Sequence, residues 1–234
     1  MRVLAVVPAR GGSKGVPRKN IALLGGRPLL TYTVVAALAT GDLLNEVVVS
    51  TDDEEIAEVA RTAGASVPFL RPAELATDTA RSVDVVRHAV DFVEDRDGIR
   101  LDWVLTLQPT APFRSAADIE AALSLAAADP DCDSVISVVE VVGSHPVFVK
   151  KLVDGYIEPF CVEEIEGTRR QDIDPPAFKR NGAIYLSRRA LLDNGELRGR
   201  VQRAYVMPAE RSVNIDAPLD LVVAEALFSG HHRA

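Results

Sequence analysis

Val3 to Val7 is an unbroken apolar run rich in β-branched residues, the pattern of a strand buried on both faces. Similar runs recur at Glu46–Ser50, Trp103–Leu107 and Ser134–Val139. Between them the period lengthens to that of amphipathic helices. Pro28 opens a helical stretch that Gly41 closes. Thr51 or Asp52 can cap the next helix, whose acidic first turn suits the helix dipole and which ends at Gly64. Ser82 to Val93 reads as a third helix, and Ser115 caps a fourth over ADIEAALSLAAA. Such alternation predicts an α/β fold, a mostly parallel sheet flanked by helices, in a single domain over residues 1–234. From Gly143 to Arg180 the periodicity breaks. Prolines at 146, 159, 175 and 176 and scattered apolar residues predict an inserted arm over 143–180 with short strands. Regularity returns with a strand at Ala183–Leu186, another at Arg203–Met207 and a helix at Pro218–Phe228; the SGHHRA tail is expected to fray.

Charge and composition narrow what this domain can do. Of 234 residues, 47% are apolar and 26% charged, ordinary values for a domain with a full core. The net charge of −8 argues against a general nucleic-acid binder. Cys132 and Cys161 have no metal-site or disulfide spacing, and a reducing, cytoplasmic setting is expected. The Val3–Val7 run is too short for a signal peptide or a membrane span. His88, His145, His231 and His232 form no constellation, and no nucleophile motif is present.

Four segments can carry chemistry. ARGGSKGVPRKN, residues 9–20, follows the first buried strand and brings Arg10, Lys14, Arg18 and Lys19 into one glycine-bearing loop. Such a loop in an acidic protein suits a local triphosphate site, though it is neither a Walker loop nor a dinucleotide fingerprint; a solvated basic turn is the plainer reading. LQPTAPFRS, residues 107–115, sets Gln108 and Thr110 at a strand's carboxyl end, either to read a base or sugar edge or as an ordinary proline turn. In RSVNIDAPLD, residues 211–220, Asn214 and Asp216 alternate and share one side of an extended segment. They are hard ligands suited to Mg²⁺, while Asp216 could instead cap the last helix. RRQDIDPPAFKRNGAIY, residues 169–185, offers arginines for a substrate carboxylate, or is a solvated arm.

Together with RPAELATDTARS, residues 71–82, these segments resemble, in order and over nearly the whole chain, the acylneuraminate cytidylyltransferase (CMP-sialic acid synthetase) family. The resemblance implies a glycosyltransferase-A-like (Rossmann-like) nucleotide-binding fold, an arm that reaches a partner subunit, and a homodimer. It implies CTP-dependent formation of a CMP-activated 2-keto-3-deoxy sugar acid, sialic or a related nonulosonic acid, with release of pyrophosphate. Residues Arg10, Gly12, Ser13, Lys14, Lys19 and Asn20 of the first loop would hold the nucleotide, with Arg71, Ser82, Gln108 and Thr110. Arg10, Lys14, Lys19 and Asp216 would carry catalysis. Gln108, Arg170, Gln171 and Asn181 would face the sugar acid, and Asp216 with Asn214 would hold Mg²⁺. Many members have Asp where this chain has Asn214, which removes one charge from the metal site. Alternatives are the same transfer onto 3-deoxy-octulosonate or a phosphonate, against the first of which the GGSKGVPRKN loop counts, and a catalytically silent nucleotide binder.

Overall fold

A computed structural model of the chain describes every residue except Lys14, Val142, Thr168, Arg170, Gln171 and 232–234, and the backbone alone of His231. β1 (Val3–Pro8) sits inside a six-stranded sheet. Its Val3, Ala5 and Val7 pack on one face, with Leu30 and Val34 of α1 (Leu29–Leu38), Ile56 of α2 (Glu54–Thr62) and Ile119 of α4 (Ala116–Ala128). Its Leu4 and Val6 pack on the other, against Val86 and Val90 of α3 (Ser82–Asp97). Two covered faces explain why the run has no polar alternation. Each fully buried Leu or Ile here contributes about 2 kcal/mol.

The remaining strands of the sheet are β4 (Glu46–Ser50), β5 (Trp103–Thr106), β6 (Ser134–Glu140), β9 (Phe178–Arg188) and β10 (Gln202–Val206), in the order β10-β6-β9-β5-β1-β4. β1 pairs in parallel with β4 and with β5, and β10 pairs in parallel with β6. β9 runs antiparallel to both β5 and β6. The mostly parallel α/β sheet expected from the sequence is therefore present, with one reversed strand inside it. After β4 the chain returns to the opposite side of β1, so the strand order switches beside β1 and β5. A crevice opens at the carboxyl ends of strands at such a point.

Several boundaries differ from the sequence reading. Asp53, not Thr51 or Asp52, caps α2 by accepting from the Ile56 amide at 3.0 Å. Asp52 instead accepts from the Gly11 amide at 3.0 Å, tying the first loop to the end of β4. Helix α3 runs on past Val93 to Asp97, where Gly98 at φ 62 stops it. The expected strand at 183–186 is the middle of β9, which already begins at Phe178 inside the region read as arm. The arm does carry short strands: β7 (Lys150–Val153) and β8 (Tyr156–Pro159) form a hairpin. The last helix, α5 (Pro218–His231), continues through residues expected to fray.

Ser115 caps α4 as expected, in a reciprocal capping box with Asp118. Asp118 is buried and also accepts from the Tyr205 hydroxyl and from Arg211, each at 2.8 Å. Burial would raise its pKa, but Arg211, Ser115 and Tyr205 together hold it down to about 2. A third cluster, with Val16, Leu24, Leu29, Ile215 and Ala224, joins the first loop, the β2 (Leu23–Leu24)–β3 (Arg27–Pro28) hairpin and α5. This packing brings two distant segments of the sequence to one side of the crevice.

Candidate functional site

A cleft of about 340 Å³ lies at the strand-order switch. Into its wall come Arg10, Ser13, Lys19 and Asn20 from the loop after β1, and Gln108 and Thr110 from the loop after β5. Arg71 comes from the connection between α2 and α3, Ser82 from the first turn of α3, and Asp216 from the segment before α5. Residues drawn from four distant stretches of sequence thus meet in one cavity. Asp216 also borders a second cavity of about 570 Å³, walled by Lys179, Arg180 and Asn214. A further groove of about 650 Å³ beside Arg81 and the 195–202 segment shares Ser82 with the cleft but carries none of the other predicted residues.

The cations of the cleft are balanced by internal carboxylates. Arg10 pairs with Asp78 at 2.8 Å and Lys19 with Asp216 at 2.9 Å. Asn20 is buried and donates to the Arg10 carbonyl at 2.8 Å, which holds the loop's shape. Arg71 is buried and donates to the Ser50 hydroxyl at 3.0 Å and to the Ser50 carbonyl. Burial pushes its guanidinium down to about 10, with Asp52 pulling it back up and Arg10 adding to the fall. It remains charged at neutral pH. Three cations at one concavity of an acidic protein are the arrangement a polyanion would require.

Not every predicted residue belongs to it. Arg18, counted among the loop's cations, turns away onto Asp53 and Glu55 at the start of α2. The loop glycines differ in role. A Cβ on Gly15 would overlap the Asp216 carbonyl, and one on Gly11 would come within 2.8 Å of Asp53. These two permit close chain packing, while Gly12 faces open space. Lys14, Arg170 and Gln171 lie outside the described residues.

Asn181, expected to face the sugar acid, borders the second cavity, with its side-chain amide committed to the protein. Its amide donates to Ser212 Oγ at 2.9 Å and to the Met207 sulfur, and its oxygen accepts from Ser137 Oγ at 2.6 Å. Ser137 in turn accepts from the Ile184 amide at 2.7 Å. The register between β6 and β9 shifts at this point, so Asn181 and Ser137 stitch a bulge. The bulge leaves Gly182 at φ 78, where a Cβ would press on Gln108 Oε1 at 3.1 Å and Asn214 Oδ1 at 3.2 Å. Glycine there keeps room for both side chains.

The alternative role for Asp216 as helix cap is taken by Asp220, which accepts from the amides of Asp216 and Ala217 at 2.9 and 2.7 Å. The Asp216 carboxylate is left to Lys19 and Asn214. Among the described residues no three acidic, histidine or cysteine side chains cluster as a metal site. A single carboxylate beside Arg10 and Lys19 would fit an ion held mostly by phosphate oxygens and water, as Mg²⁺ commonly is.

Sequence reading missed Arg114. Buried under the cleft, it donates to the Gln108 carbonyl at 3.2 Å, the Ala111 carbonyl at 3.3 Å, the Ala183 carbonyl at 3.0 Å and the Thr33 hydroxyl at 3.0 Å. Burial drives its guanidinium down to about 9, with Asp118 opposing. It fastens the Gln108 loop to α1 and β9. An arginine between Phe113 and a helix cap carries no sequence signal for such a role.

A family profile described as cytidylyltransferase matches residues 4–158. The chain is 35% identical to a CMP-N,N'-diacetyllegionaminic acid synthase of Legionella pneumophila, over 100% of this chain and 99% of that protein. It is 33% identical to an N-acylneuraminate cytidylyltransferase of Escherichia coli, over 99% of this chain but 53% of that protein. Among solved structures, a CMP:2-keto-3-deoxy-manno-octonic acid synthetase complexed with CTP matches 99% of this chain and 100% of that chain, with a TM-score of 0.72 at 21% identity. That last likeness is one of fold. No helix among the described residues is long and apolar enough to cross a membrane.

Proposed function

The chain belongs to the cytidylyltransferase family, and from that premise we propose that it joins CMP from CTP to a 2-keto-3-deoxy sugar acid of the nonulosonic type, releasing pyrophosphate. The observation that carries this reading is the convergence of Arg10, Lys19, Arg71, Gln108 and Asp216 on one cleft. The full-length likeness to the legionaminic acid enzyme favours a nonulosonic acceptor over 3-deoxy-octulosonate or a phosphonate.

In this reading the anomeric hydroxyl attacks the α-phosphorus in line, the new P–O bond forms as the bond from the α-phosphorus to the oxygen bridging to the β-phosphate breaks, the hydroxyl proton passes to solvent, and pyrophosphate leaves. The protein's part is positioning and charge neutralisation. Arg10 and Lys19 exchange their carboxylate partners for phosphate oxygens, offsetting charge on the leaving group. Arg71, rigid on Ser50, and Ser82 face the nucleoside end. Gln108 lines the cleft, and in the second cavity Lys179 and Arg180 supply positive charge for the acid. Mg²⁺ bound at Asp216 would supply Lewis-acid stabilisation of the phosphate charge. By family likeness, Lys14 joins the phosphate cations, and Arg170 and Gln171 face the acid.

A homodimer formed through the arm is part of the proposal. Leu152, Tyr156, Ile157 and Ile165 expose between 71% and 76% of their surface there, apolar surface of the kind a partner subunit covers. The cytoplasm is the proposed compartment, with Cys132 and Cys161 both free thiols.

The deciding experiment is a pyrophosphate-release screen with CTP and Mg²⁺ over a sialic acid, N,N'-diacetyllegionaminic acid, 3-deoxy-octulosonate and a phosphonate, with ATP, GTP and UTP as controls. Turnover on a nonulosonic acid with CTP is expected. CTP binding by calorimetry with no turnover on any acid would instead mark a silent nucleotide binder. Arg10→Ala is expected to weaken CTP binding about tenfold or more, the scale of a lost charge-assisted phosphate contact. An unchanged Kd would remove Arg10 from the phosphate site.

A further inference from the structure

Thr110, Asn214 and Asp216 form a chain of side-chain hydrogen bonds where the two cavities meet. The backbone places them there, because the Ile215 amide donates to the Thr110 carbonyl at 2.8 Å and ties the loop after β5 to the 213–216 segment. The Thr110 hydroxyl lies 2.6 Å from Asn214 Oδ1, and Asn214 Nδ2 lies 2.5 Å from Asp216 Oδ2. An ionised carboxylate offers only acceptors. The Asn214 atom that faces Asp216 is therefore the amide nitrogen, and its oxygen is committed to the Thr110 hydroxyl.

We infer that Asn214 is a positioning residue that aims the Asp216 carboxylate, held in turn by Thr110, rather than a metal ligand in its own right. The inference rests on the reading of Asp216 as the metal-bearing carboxylate of a nucleotidyl transferase. It revises the pairing of Asn214 with Asp216 as two ligands. Lys19 holds Asp216 Oδ1 at 2.9 Å and Asn214 holds Oδ2. When Lys19 turns to a phosphate, Oδ1 alone is released, while Oδ2 stays fixed. A second carboxylate at position 214 would set like charge beside Asp216; the neutral amide fixes its direction without that repulsion.

The relay is read first without metal. In protein labelled with ¹⁵N-asparagine, the side-chain amide of Asn214 is identified by its loss in Asn214→Ala. Its proton signal is expected to move upfield in Asp216→Ala, where the exposed carboxylate is removed, and in Thr110→Val, and to return in Thr110→Ser. No movement in Asp216→Ala overturns the relay. Mn²⁺ binding to the CTP complex, followed by the loss of the free-ion paramagnetic signal, is the second measurement. Asn214→Ala and Thr110→Val are each expected to weaken it about tenfold or more, the scale of one hydrogen bond to a charged group, with the double variant no weaker than either. Weakening by Asn214→Ala with none by Thr110→Val would make Asn214 a direct ligand and overturn the inference. If the wild-type CTP complex takes up no Mn²⁺, the metal reading fails, and the amide shift in Asp216→Ala still decides the relay.

Discussion

Asp216→Ala is expected to lower Mg²⁺-dependent pyrophosphate release by about three orders of magnitude, the scale reached when a preorganised charge at a phosphoryl-type transition state is lost. The side chain is exposed, borders both cavities and makes no cap, since Asp220 takes that role. Its removal therefore costs little folding stability, and the loss of rate is a loss of chemistry. Lys19 is freed of its partner in this variant, so CTP affinity without metal is expected to hold or rise. Steady-state kcat and calorimetric Kd separate the two effects. Turnover at the wild-type level would sink the assignment of Asp216.

Arg114→Met is expected to act on stability. The guanidinium is buried and serves three carbonyls and one hydroxyl. Methionine fills similar volume but donates nothing, so the carbonyls of Ala111 and Ala183 lose this donor inside the protein, and that of Gln108 keeps only its longer contacts from the Ala111 amide and the Thr33 hydroxyl. Breaking a buried charged network of this kind costs about 3–5 kcal/mol. For a domain of this size that corresponds to a fall in Tm of roughly 10 °C. Thermal unfolding followed by circular dichroism measures it. Because the Gln108 loop is fastened by the same bonds, KM for the acid is expected to rise in whatever fraction stays folded. A fall in Tm under about 2 °C would show that water replaces the guanidinium and that the fastening is dispensable.

The two outcomes rest on residues of very different legibility. Asp216 stands in a segment whose alternation of polar and apolar positions already marks it, and family resemblance points to the same residue. Arg114 looks like any arginine in a turn. Its role depends on burial and on the convergence of α1, β9 and the loop after β5, none of which a linear pattern encodes. Asn181 borders the second cavity, as its motif suggests, but not with a free amide. It sits in a motif that reads as substrate-facing, yet its amide is spent on Ser137, Ser212 and Met207. Polar side chains look alike in sequence whether they meet ligand or protein, and only the partner distinguishes them.

Local periodicity was enough for β1, β4, β5, β6 and most helices, because a strand covered on both faces or a one-sided helix imposes its pattern residue by residue. Glycines, prolines and caps placed most ends to within a few residues, and the loop after β1 offered an anion site as one reading of its own charges. Long-range pairing settled the rest. The antiparallel insertion of β9, its bulge at Gly182, the turning of Arg18 away from the cleft and the Thr110–Asn214–Asp216 relay all join residues tens to more than a hundred positions apart. Their geometry follows from which surfaces pack together, and a hydrogen bond across that distance leaves no periodic trace in the chain.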